Sequence, residues 1–114
     1  MSWDTDAIAG WLLRQHNAIY ADLDRMRYKM RTEPARHKYS RFISEQEAAL
    51  DLCILLKDSA ALSSRESLVR ELNRLANEVD SIYRMNSSKS ELSLDHYKSG
   101  WTKKVAEIRS QVEE

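Results

Sequence analysis

Gly10, Gly100 and Pro34 are the only glycines and the only proline in 114 residues. These are the two residue types that most strongly interrupt regular structure and form turns. A sandwich or barrel of short strands would need many more of them, so the chain must be built from helices joined by few connections. Leu, Ala, Glu, Lys, Arg and Gln recur along its whole length, and all of them are good helix formers.

The apolar spacing predicts four helices. The first runs from about Thr5 to Arg31, with Leu12, Ile19, Leu23, Met26 and Met30 as its apolar positions and Asp4, Thr5 and Asp6 as N-cap candidates. Pro34 ends it, because the residue before a proline avoids the α region. The second runs from about Ser40 to Ala61. Between Leu50 and Leu56 only Asp51 is polar, and a helix apolar on several sides needs cover from several neighbours. The third carries Leu68, Leu72, Leu75, Val79 and Ile82 at heptad spacing, opened by a capping box of Ser63 and Glu66. The fourth runs from about Ser88 to Val112, opened by Ser88 and Glu91. Its seam is Leu94, Trp101, Val105, Ile108 and Val112, with Lys98 as a polar intruder and Gly100 inside the helix. Gly100 either admits a close neighbour or is a weak spot.

Short connections make consecutive helices antiparallel. The expected fold is an all-α, four-helix antiparallel bundle, a single domain over residues 1–114. The alternative is a long-helix coiled-coil dimer in which helices two and three merge.

Charge excludes little in total, with 18 basic and 18 acidic residues. Cys53 stands alone in an apolar run and reads as a buried small hydrophobe. The opening MSWDTDAIAGW is acidic where a secretory signal is basic, and the longest apolar run is too short for a bilayer. A cytoplasmic location without membrane insertion is the expectation.

No catalytic pattern emerges. His16, His37 and His96 have no second ligand at metal-binding spacing, and neither a nucleophile elbow nor a Gly-rich phosphate loop occurs. Arg31 and His37 read R-x5-H, which resembles the Arg–His pair of HEPN-type helical ribonucleases, where the two act together on an RNA phosphodiester. The resemblance spans seven residues, and Pro34 interrupts it. No enzymatic activity, cofactor or metal is therefore expected.

The strongest local signal is cationic. Arg25, Arg27, Lys29, Arg31, Arg36, Lys38 and Arg41 face Glu33 alone, giving this stretch a charge of +6 and leaving −6 for the remainder. Tyr28 and Tyr39 are interleaved and suited to stacking on bases. Four of the cations end the first helix, where the dipole favours them. Trp3 and Trp11 near the N-terminus are candidate protein-interface anchors, whereas Trp101 reads as core. The expected function is a non-enzymatic helical interaction module, a small subunit or adaptor docking on a larger protein partner, with homodimerisation as one form of it. The alternative is a nucleic-acid-backbone-binding subunit of a ribonucleoprotein or DNA-binding assembly that uses the Arg25–Arg41 end.

Overall fold

The computed structural model describes residues 4–32, 39–86 and 92–113, and all regular structure among them is helical. Five α-helices are present there instead of four. Helix α1 spans Thr5–Thr32, α2 Ser40–Lys57, α3 Arg65–Ala76, α4 Val79–Met85 and α5 Leu94–Glu113, with a 3-10 turn at Ala60–Ser63 between α2 and α3. No helix among the described residues is long and apolar enough to cross a membrane.

The differences from expectation have local causes. Asp4 does cap α1, its Oδ1 accepting from Ala7 N at 3.1 Å. The second helix stops at Lys57, four residues before Ala61, and the chain reverses through the 3-10 turn, capped by Ser59 Oγ accepting from Ala61 N. Helices two and three therefore do not merge into a rod. The cap of α3 is Ser64, whose Oγ accepts from Ser67 N at 3.0 Å, and not the expected Ser63. The expected third helix breaks at Asn77. There the Leu75 carbonyl accepts from Glu78 N at 3.0 Å and from Trp101 Nε1 at 2.9 Å, so a side chain from α5 occupies the end of α3. Ser88 and Glu91, the other capping pair, lie outside the described residues, and α5 begins at Leu94.

Named contacts fix the chain directions. Thr5 Oγ1 donates to the Leu62 carbonyl at 2.9 Å, and Arg27 pairs with Glu47, so α1 and α2 run antiparallel. Ser93 N donates to Ser44 Oγ, and Arg65 Nε donates to the Val112 carbonyl. The first contact puts the start of α5 beside the start of α2. The second puts the end of α5 beside the start of α3. Thus α2 and α5 run in the same direction, and α3 and α4 run back against them. Helix α2 packs on both α1 and α5, while α3 packs on α5 and the 3-10 turn.

Gly100 is what lets α2 and α5 meet so closely. A Cβ at this position would lie 2.7 Å from the Glu45 carbonyl carbon, inside van der Waals contact with backbone. The close-approach reading of this glycine is the one the fold uses.

The core takes Ile8, Leu12, Ile19 and Leu23 from α1, most of α2, Leu68, Leu72 and Leu75 from α3, and Tyr97, Trp101, Val105, Ile108 and Val112 from α5. On α5 the seam passes through Tyr97, while Leu94 is exposed and Lys98 reaches out to Asp80 at 3.1 Å. The leucines of α3 are spent on the chain's own core, so the seam offered for a coiled-coil dimer is already covered.

Candidate interaction surface

The cationic stretch does not form one uniform patch. Arg27 forms an ion pair with Glu47, whose side chain is only 7% exposed, so this arginine is drawn into the α1–α2 contact. Arg25 is held by Asp22 at 2.6 Å on its own helix. Arg41 reaches Glu45 at 3.5 Å, and the same carboxylate accepts from Lys103 at 3.2 Å. Burial acts to raise the Glu45 carboxyl, but the hydrogen bonds and charges of Lys103 and Arg41 outweigh it and hold the group below its ordinary value. Acidic side chains of the same chain thus take up three of the seven cations. Lys29 and Arg31 remain at the surface with no ion pair among the described residues. Arg36, Lys38 and His37 lie outside the described residues. Tyr28 is exposed, as base stacking would require, whereas Tyr39 is half-buried and packs on the core.

Of the two tryptophans named as interface candidates, Trp11 lies among the described residues. Trp11 is half-buried against the core, and Lys104 Nζ lies 5.7 Å from its ring centroid. Lys104 is itself buried, donating to Gln15 Oε1 at 2.6 Å and Glu107 at 3.2 Å, so Trp11 belongs to a packed contact between α1 and α5. Trp3 lies outside the described residues.

A polar knot that the apolar pattern did not predict joins α2, α4 and α5. Asp51 Oδ2 accepts from Tyr97 Oη and from Asn86 Nδ2, each at 2.6 Å. Tyr83 meets Tyr97 edge-on at 5.3 Å and donates its hydroxyl to the Leu92 carbonyl. Burial is the largest influence on Asp51 and pushes its carboxyl above the ordinary value, against the two hydrogen bonds. Tyr97 is likewise pushed up, first by burial and then by its bond to Asp51. Every polar atom named here is bonded within the fold, and its effect is to clamp three helices together. The one sequence signal for it was Asp51, the lone polar residue in an apolar run.

Cys53 and His16 are both engaged locally. Cys53 is fully buried, and burial raises its thiol to about 11. His16 bonds Asn17 and stacks on Tyr20 at 6.3 Å, outside the core seam. Among the described residues no three His, Cys, Asp or Glu side chains converge on a metal position.

Several large apolar side chains also remain at the surface. Met85 is 80% exposed, Tyr28 61% and Leu94 36%. All three stand at the end of the molecule where α1 and α4 finish and α2 and α5 begin, as the Arg27–Glu47, Asn86–Asp51 and Ser93–Ser44 contacts require. A second apolar group, Leu13, Tyr20, Ile54 and Leu55, is exposed along α1 and α2. No protein-family model matches the chain, and no curated protein or solved structure matches it either.

Proposed function

We propose that this chain is a non-enzymatic helical interaction module, a small cytoplasmic subunit or adaptor that docks on a larger protein partner. The fold is read as a single antiparallel bundle of four columns, with α3 and α4 together forming the broken third column. The carrying observation is the exposure of Met85, Tyr28 and Leu94 at the end that also bears Lys29, Arg31 and Arg41. Large apolar side chains in water beside the unspent charges of Lys29 and Arg31 suit a partner surface that is apolar at its centre and acidic at its rim. Asp51, Tyr97, Glu47 and Lys104 support this reading from the other side, because their polar groups are engaged in contacts within the fold.

The experiment is affinity capture from native lysate with the wild-type chain and with Met85→Glu and Tyr28→Ala. A specific protein retained by the wild type, lost with Met85→Glu and indifferent to nuclease supports docking. Capture unchanged by both substitutions contradicts it.

A second reading, a nucleic-acid-backbone-binding subunit, is favoured by Tyr28, Lys29 and Arg31 lying together at the end of α1. Backbone binding falls steeply with salt. Lys29→Ala combined with Arg31→Ala should weaken oligonucleotide binding at low salt several-fold. Equal affinity in the double variant rejects this alternative.

A further inference from the structure

We propose that the chain pairs with a second copy of itself through the outer face of α1, the two α1 helices running antiparallel about a two-fold axis. Asp6, Leu13, Tyr20, Asp24 and Arg31 follow one another at steps of 7, 7, 4 and 7 residues. That is a heptad stripe separate from the core seam of Leu12, Ile19 and Leu23, and it faces solvent. Leu13 is 48% exposed and Tyr20 61%, and Asp6, Asp24 and Arg31 are exposed as well. The apolar centre continues onto α2. Tyr20 and Ile54 each lie seven residues from the Arg27–Glu47 ion pair, on opposite partners of an antiparallel helix pair, so the two are neighbours on this side. Ile54 is 47% exposed.

Charge selects the occupant. From Thr5 to Asp24, α1 carries Asp6, Asp22 and Asp24 against Arg14. From Arg25 to Thr32 it carries Arg25, Arg27, Lys29 and Arg31 with no acid. One helix thus has an acidic stretch and a basic end, about 37 Å between Asp6 and Arg31. An antiparallel pairing that sets Asp6 against Arg31 of the second copy sets Asp24 level with Leu13 of the second copy, one residue from its Arg14. Leu13 and Tyr20 then surround the axis from both sides. A parallel pairing would set Arg31 against Arg31. The surface is therefore self-complementary in one orientation, which is what a two-fold interface needs. None of Asp6, Arg14, Asp24 and Arg31 has an ion-pair partner among the described residues.

The test is sedimentation equilibrium on the full chain, with circular dichroism to check helicity. At about 50 µM the wild type should be largely dimeric, and Tyr20→Glu or Ile54→Glu should leave a helical monomer. Arg31→Glu should raise the dimer dissociation constant about tenfold, and adding Asp6→Arg to it should restore affinity to within about threefold of the wild type. The charge exchange sits on exposed positions, so its outcome does not depend on core packing. A monomer persisting to about 0.5 mM overturns the proposal. So does a double variant weaker than Arg31→Glu alone. A monomer that still loses a different protein on Met85→Glu would end the second-copy inference and leave the docking function intact.

Discussion

Arg25 and Arg27 are two residues apart on α1, yet their surroundings set them to different tasks. Arg27 neutralises a glutamate that has almost no access to water, and removing one partner of such a pair leaves a buried charge uncompensated. Arg27→Ala should therefore destabilise the fold by about 2 kcal/mol, a figure reduced for the arginine's partial exposure. Arg25→Ala should change stability by less than about 0.5 kcal/mol, because Arg25 and Asp22 are both open to solvent. Urea denaturation of the two variants checks this. Asp51 gives a pH-dependent case. Its folded carboxyl holds a proton to higher pH than the unfolded one. Its contribution to stability is thus full below the unfolded value and is lost as pH rises through the folded value. Tyr97 and Asn86 both donate to the same oxygen, so Asp51→Asn keeps both bonds through its amide carbonyl. The variant should match the wild type in acid and gain on it as pH rises through the titration of the Asp51 carboxyl. Denaturation midpoints at a series of pH values measure the gap; one that stays constant would contradict the assignment. Glu45 runs the other way. Its lowered carboxyl contributes stability above the unfolded value, and this is lost as pH falls through the folded value.

Between elements, the decisive contact is the crossing of α2 over α5. In isolation, Gly100→Ala would favour the helix by about 1 kcal/mol. In the fold, the added methyl meets the backbone of Glu45, which has no side-chain rotamer to move aside. The net effect should be a loss of about 2 kcal/mol or more, read from thermal or urea unfolding. A more stable variant would mean that the helices are not in contact there. The α3–α4 break shows the same principle. Heptad spacing continues from Leu68 to Ile82, but Trp101 bonds the Leu75 carbonyl and α4 starts afresh at Val79. Local periodicity describes a surface that can pack, and the neighbour decides where the helix stops.

The molecule as a whole is elongated, measuring 52 × 24 × 21 Å with a radius of gyration of 14.8 Å. Stability is distributed unevenly along it. Helix α2 buries residues on nearly every side, whereas α4 has no fully buried residue. Hydrogen exchange should therefore find the slowest amides in the middle of α2, around Ala48–Leu52, and the fastest helical amides in α4. Equal protection of α4 and α2 would show that the Met85 end is as rigid as the core. The expected contrast places the exposed Met85 on the least protected helix of the fold.

Much of this architecture is present in the chemistry of the sequence. Scarce breakers and apolar spacing sufficed for an all-helical fold, for the buried faces of α1, α3 and the second half of α5, and for the burial of Cys53. Helix formation and amphipathicity depend on neighbours three or four residues away, so they can be read locally. The tertiary structure alone decided that Arg27 is neutralised by Glu47, that Trp11 lies under Lys104, that Tyr97 and not Lys98 enters the core, and that Asp51 ties three helices together. Each of these depends on a partner 20 or more residues away or on the facing of a side chain at a crossing, whereas the acids of Arg25 and Arg41 sit one turn off on the same helix. Charge counted along a sequence cannot tell a spent arginine from an available one, because pairing is a matter of distance in space.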